Sequence, residues 1–155
     1  MRIKMSLDLT KENANEDLSD LILLDEFDNN DLAKLFYTGY HNSIDDEGES
    51  VGDWGEIISQ FKNNEFGELI HEASLVIKVK GEIVSGIVIG IDEDKPYIIA
   101  LATNPRCRNK ELAGRLIRSS ARVLESNHNQ LVLYVDEANI EAVRLYKKLG
   151  FEIVE

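Results

Sequence analysis

The stretch that most constrains the fold runs from Ile98 to Leu124, IIALATNPRCRNKELAGRLIRSSARVL. It opens as an apolar strand, breaks at Asn104-Pro105, crosses a basic loop and continues as an amphipathic helix. A strand aimed at a helix start gathers several unpaired backbone N–H groups at one spot, beside the positive end of the helix dipole. Such a spot is a natural seat for a phosphate. The rest of the chain has to place a sheet and a helical layer around this unit.

Charge points the same way. The chain of 155 residues carries a net −12, which disfavours nucleic acid and anionic membranes as partners. Yet residues 106–122 hold Arg106, Arg108, Lys110, Arg115, Arg118 and Arg122 against one acid, Glu111. An acidic body with one basic patch suits an anionic ligand at the patch. Arg115, Arg118 and Arg122 are also spaced as one solvated helix face; Arg106, Arg108 and Lys110 are not explained that way.

Flanking segments supply the layers. Residues 2–8 alternate Ile3, Met5 and Leu7 with polar residues, a short strand. Residues 11–17 are polar and read as a loop. LILLDEF (21–27) reads equally as a buried strand or as the lead-in to a helix. Asp28 is a fitting N-cap for a helix with Leu32, Leu35, Phe36 and Tyr40 on one side, its end weakened by Gly39. An acidic loop (44–51) leads to a second helix over 51–62, with Trp54, Ile57, Ile58 and Phe61 at helical spacing.

Strands are expected at 73–79, 82–91 and 97–103. They are joined by a tight turn at Lys80-Gly81 and a second turn over 92–96. A helix over 109–127, a strand at 130–135, a helix over 139–149 closed by Gly150, and a last strand from Phe151 complete the order. Hairpins make antiparallel pairs, and the later strand–helix–strand crossovers set strands parallel. The fold class is therefore α/β (mixed α+β): a mixed, largely antiparallel sheet with helices on both faces. A cleft is expected where the strand at Leu101 parts from the strand at Leu133.

Residues 1–155 read as a single domain, with 1–20 as an N-terminal extension. No apolar run approaches the ~20 residues of a membrane helix. The N-terminal residues lack a long apolar stretch followed by small residues, against a secretory signal. Cys107 is the single cysteine, so no internal disulfide forms. A cytoplasmic location is expected.

Two motifs resemble the GNAT N-acetyltransferase superfamily. The run TNPRCRNKELAGRLI is similar to Arg/Gln-x-x-Gly-x-Gly/Ala after a strand that ends near a proline, matched here by Arg108 and Ala113. LYVDEANIEAVRLYKKLGFEIV resembles the second motif, with Asn139, Ala142, Leu145, Tyr146, Gly150 and Phe151 in place. The likeness runs from about Leu21 to the end of the sequence.

The resemblance implies a domain that binds acetyl-CoA as co-substrate, with no metal. Backbone N–H groups of Arg108, Asn109, Lys110, Glu111, Leu112, Ala113 and Gly114 would hold the pyrophosphate. The edge at Leu101, Ala102 and Thr103 would pair with the pantetheine arm, as in strand addition. Asn139 would contact the coenzyme, and Tyr146 would also contact it and protonate the departing thiolate. Read without the family, Asn139 is a helix N-cap and Tyr146 an amphipathic core residue. The implied activity is direct acetyl transfer to a primary amine of a small molecule or peptide. The acidic body suits a cationic acceptor. The alternative is a degenerate module that binds an acyl-CoA or a protein.

Two departures stand out. Glu111 occupies the place of the family's first loop glycine. A like charge ~5 Å from a phosphate costs about 3 kcal/mol at an effective dielectric near 20. The sequence also ends at Glu155, where the family usually adds a strand. The strand at 2–8 is then expected to cover the exposed edge, in a monomer or a homodimer. Asp45, Asp46, Glu47, Asp136 and Glu137 are the candidate general bases, unranked. His41, His71 and His128 lack ligand spacing, so no metal is expected. Cys107 reads as a bystander.

Overall fold

The computed structural model describes residues 1–11, 18–108 and 110–154. Of the expected loop at 11–17, only Lys11 falls among the described residues. Seven strands form one sheet: β1 (Arg2–Asp8), β2 (Ile22–Leu23), β3 (Leu75–Val79), β4 (Glu82–Asp92), β5 (Lys95–Thr103), β6 (Gln130–Asp136) and β7 (Glu152–Ile153). Their spatial order is β2-β3-β4-β5-β6-β1-β7. β5 and β6 are parallel and the other neighbours antiparallel. This is the mixed, largely antiparallel sheet the hairpins and crossovers predict.

Helices cover both faces. α1 (Asn29–Tyr40) and α2 (Val51–Lys62) bury Leu32, Phe36, Trp54 and Ile58 against one face. α3 (Leu112–Leu124) buries Leu116 and Ile117 against the other, where Ala142, Val143 and Tyr146 of α4 (Ile140–Lys148) also pack. Each large apolar side chain removed from water contributes about 1.5–3 kcal/mol, so the two layers hold the sheet from both sides. Asp28 caps α1 by accepting from Asp31 N–H at 2.8 Å. Ser50 and Asp53 close a capping box on α2.

Several boundaries move for local reasons. Residues 21–27 are both of the things they resemble: a two-residue strand, then a 3-10 turn at Leu24–Glu26. β3 begins at Leu75 because His71–Ala73 is a 3-10 turn. The second hairpin turns at Glu93-Asp94, both at positive φ, so β5 starts at Lys95 rather than at Tyr97. α3 begins at Leu112, not at Asn109, since Pro105–Cys107 form a 3-10 turn and Glu111 has φ 58° and ψ 26°. A left-handed residue cannot extend a right-handed helix backwards.

The larger correction concerns β1. It does not cover the edge beyond the last strand. It lies inside the sheet, paired with β6 along Arg2↔Asp136 to Asp8↔Gln130, and β7 pairs with its far side. The period-2 pattern of Ile3 and Met5 is satisfied there, because both side chains drop into the α3–α4 layer. Among the described residues the last strand in the order on that side is the two-residue β7.

One irregularity shapes the site. Val88 opposes Ala100 and Ile89 opposes Ile98, which leaves Ile99 as an extra residue in β5. This bulge moves the strand's buried side chains from one face to the other. Ile98 packs into the α3–α4 layer, while Ala100 and Ala102 pack under α1 and α2. Bulges bend a strand and break its pairing. β5 pairs with β6 at Tyr97↔Val132. Leu101–Thr103, past the bulge, have β4 on one side and, among the described residues, no paired strand on the other.

Candidate active site

β5 and β6 pair at Tyr97↔Val132, and the sequence places the cleft further along, between Leu101 and Leu133. Leu101 opposes Ile87, and its N–H points away from β4 to Tyr40 Oη at 3.0 Å. Alternation along an antiparallel ladder turns the Thr103 N–H to the same side. The Thr103 hydroxyl is engaged on β4, 2.8 Å from Ser85 Oγ. Ala102 is buried under α1. At Leu101–Thr103 the Leu101 amide turns away from β4 and is held by the phenol of Tyr40, a residue the sequence pattern places only on an apolar helix face.

That contact is forced by Gly39. A Cβ there would sit 2.8 Å from Ala102 Cβ and 3.3 Å from the Thr103 backbone. Lacking one, α1 descends onto β5 and carries Tyr40 to Leu101. Arg108 fastens the junction: its Nη2 donates to the Gly39 carbonyl at 2.8 Å. The Tyr40 ring stacks on Trp54 and Phe36, with centroids at 5.1 and 6.3 Å. Burial raises its hydroxyl pKa to about 12, against the lowering effect of the Leu101 N–H; the charges of Asp45 and Glu49 raise it further.

Tyr146 comes from the opposite face. Its ring packs at 5.9 Å from Phe151 within the α3–α4 layer. Burial pushes its hydroxyl pKa well above that of free tyrosine, and Tyr40 and Asp45 add to the shift. The charge of Asp45 thus acts on both hydroxyls in the same direction. No hydrogen bond among the described residues occupies the Tyr146 hydroxyl, while both tyrosines stay protonated at neutral pH. Asn139 caps α4 by accepting from Ala142 N–H at 3.3 Å.

At the end of β5 lies the start of α3. Glu111 is its N-cap and makes no side-chain cap bond. The first intrahelical bond runs from Arg115 N–H to the Glu111 carbonyl. The N–H groups of Leu112, Ala113 and Gly114 therefore have no preceding carbonyl within the helix. At Gly114 a Cβ would meet the Arg118 guanidinium at 3.2 Å and touch Leu149 and Leu145 at ordinary contact distance.

Glu111 adopts the left-handed conformation that glycine takes without strain. Its carboxylate is exposed and lies 3.7 Å from Lys148 Nζ. The repulsion toward a phosphate is thus screened by water and by a cation, well below the sequence-based figure. Asn109 lies outside the described residues, and Lys110 is exposed. Of the basic collar, Arg106 pairs with Glu82 at 2.8 Å and Arg115 with Asp20. Arg115 does not belong to a merely solvated face.

The carboxylates separate as well. Asp46 accepts the Asn42 and Gly48 N–H groups at 2.7 and 2.8 Å, and these bonds lower its pKa. Asp136 is lowered chiefly by the Ala138 N–H and stands 3.6 Å from the N-terminal amine. Both carboxylates are committed to local structure. Asp45 is the candidate whose charge reaches both tyrosines. A groove of about 360 Å³ lies elsewhere, between α1 and the β3–β4 hairpin, lined by Phe27, Lys34 and Lys78 among others. The site itself is a strand edge leading to a helix start.

The frame is a mixed, largely antiparallel sheet covered by helices on both faces, with β5 leading through a turn to the start of α3. Residues 31–151 match the model of the acetyltransferase (GNAT) family, and the chain belongs to that family. No curated protein matches the sequence. Among solved structures, PH1933 from Pyrococcus horikoshii is similar at 22% identity and TM-score 0.73, over 87% of this chain and 89% of that one. The ribosomal-protein-S18-alanine N-acetyltransferase of Escherichia coli is similar at 15% identity and TM-score 0.67, over 87% and 78%. A GNAT-family protein of Novosphingobium aromaticivorans aligns with 100% of this chain at 17% identity and TM-score 0.68. This chain spans 61% of that protein's length. At such identities the likeness is one of fold.

Proposed function

We propose that the protein is an N-acetyltransferase that takes acetyl-CoA and passes the acetyl group directly to a primary amine. The observation that carries this reading is the order of two backbone features along the chain. The β5 edge at Leu101–Thr103, where the Leu101 N–H faces away from β4 to Tyr40, leads along the chain to the start of α3 at Leu112–Gly114, where Glu111 makes no side-chain cap bond. An extended pantetheine arm ending in a pyrophosphate has that shape and that order of needs.

The amine attacks the thioester carbonyl and backbone donors polarise its oxygen. The C–S bond breaks as Tyr146 delivers its proton to sulfur. Asp45 or water takes the proton released by the amine. Asp46 and Asp136 are poorer bases, because backbone donors stabilise their ionised forms. The exposed acids around the site, Asp45 and Glu47 among them, favour a cationic acceptor, either a small polyamine-like molecule or a peptide amine.

Thiol release from acetyl-CoA with a panel of amines tests the reading. Tyr146→Phe lowers kcat by about 10²–10⁴-fold while the KM for acetyl-CoA stays near its original value. Full turnover in Tyr146→Phe would rule out its role as acid. One observation favours a second reading, a non-catalytic acyl-CoA-binding module: Glu111 holds the strained turn where glycine would be at ease. Thermal stabilisation by acetyl-CoA with no turnover on any amine selects that module.

A further inference from the structure

Tyr40 meets the β5 edge that this reading gives to the coenzyme. Its oxygen accepts from the Leu101 N–H, the cleft-side amide best placed to polarise a thioester. If Tyr40 were loosely held, the coenzyme carbonyl would simply displace it. The structure argues otherwise. Gly39 is wedged against Ala102 and Thr103, Arg108 is bonded to the Gly39 carbonyl, and the Tyr40 ring lies against Trp54 and Phe36. Contacts from β5, Arg108, α2 and α1's own Phe36 fix the hydroxyl where it is.

A phenol oxygen that accepts one hydrogen bond still has its own proton to give. From these contacts we infer that Tyr40 is a second catalytic phenol: its O–H, backed by the Leu101 N–H, donates to the thioester oxygen. The inference rests on the acetyltransferase reading above. The N–H···O–H···O chain polarises along its length, so the phenol is a stronger donor than it would be alone. Its raised pKa keeps the proton in place at neutral pH.

The balance is straightforward. The amine lone pair forms the C–N bond and the carbonyl pair moves onto oxygen, where the Tyr40 O–H meets the developing charge. Collapse re-forms C=O and breaks C–S. The sulfur takes the Tyr146 proton, the proton shed by the amine returns through Asp45 or water to the Tyr146 phenolate, and Tyr40 ends as it began. Tyr40 and Tyr146 thus divide the work by sheet face: one phenol from α1 stabilises oxygen, and one from α4 protonates sulfur.

Tyr40→Phe keeps the ring and its stack. It is expected to lower kcat by about 10²-fold, with KM for acetyl-CoA within about twofold. The infrared stretch of bound acetyl-CoA labelled at the thioester carbonyl reads the contact without turnover. It lies at lower frequency in the original protein than in Tyr40→Phe. Should Tyr40→Phe fail to fold, fluorotyrosine incorporated at position 40 replaces it. That more acidic phenol lowers the stretch further.

Turnover within twofold of the original in Tyr40→Phe overturns the role. So does an unchanged carbonyl stretch in either variant. Faster turnover with tighter acetyl-CoA binding also overturns it, because the hydroxyl would then be competing with the coenzyme for the Leu101 N–H. A protein that binds no acetyl-CoA at all overturns the acetyltransferase reading itself, and this role with it.

Discussion

At one end of the proposed coenzyme seat, α1 is pressed so closely onto β5 that only glycine fits at position 39. At the other end, the turn into α3 asks for glycine's conformation and has Glu111 instead. The first junction is buried, held by Arg108 and the aromatic stack, and sets the position of one hydroxyl. The second is exposed and tied by one ion pair to Lys148. A contact between packed backbones has no slack, so a side chain cannot be added there. A strained turn at the surface accepts its cost of about 1–2 kcal/mol because nothing else has to move.

The largest expected effect breaks the tight end. Gly39→Ala drives a Cβ into Ala102 and lifts the end of α1. Overpacking of this kind costs about 1–3 kcal/mol, offset in part by up to ~1 kcal/mol of better helix propensity. A net loss of about 1–2 kcal/mol in denaturant unfolding is expected, with turnover reduced as Tyr40 leaves Leu101. Unchanged stability and activity would show that the junction is not as close as described.

The next effect acts at the loose end. Glu111→Gly relieves the left-handed strain but frees the unfolded chain by about 0.4–1 kcal/mol, so stability rises by no more than about 1 kcal/mol. Acetyl-CoA binding tightens, because both charge and bulk are gone. Glu111→Gln removes the charge and keeps the strain. It gives the smaller share of the gain, since the carboxylate is already exposed and paired. Calorimetric titration of both variants separates the two contributions; weaker binding by Glu111→Gly would reverse the comparison.

The smallest effect is a pH dependence. Tyr40 has a hydroxyl pKa raised from 10.0 to about 12. The folded state therefore holds its proton more tightly than the unfolded state. That stabilisation is fully present below pH 10 and is lost as the pH rises toward 12. Alkaline unfolding followed by circular dichroism is expected to be less steep in Tyr40→Phe than in the original protein.

The same contrast explains what could be read from the sequence. Asp28 and Asn139 announce their caps by residue type, and both caps form. Period-2 and period-3.6 patterns locate the strands and helices, because burial of one face decides them. Glu111 was identifiable as out of place from the motif, since a glycine slot is a local property. Its outward direction and its partner, Lys148, were not. Tyr40 looked like one more apolar-face residue of α1, and the consequence of Gly39 looked like a weakened helix end. Both depend on a contact spanning 61 residues, which no local pattern encodes. The slot taken by β1 was hidden for the same reason: alternation says that a strand exists, not which neighbour it pairs with.

The central claim is that acetyl-CoA lies along the open edge of β5 and ends at the start of α3. Amide chemical shifts recorded during an acetyl-CoA titration test it residue by residue. The account predicts that the largest changes fall on Leu101, Thr103, Leu112, Ala113 and Gly114. Changes centred instead on the groove lined by Phe27, Lys34 and Lys78, or none in the β5–α3 segment at saturation, would contradict it.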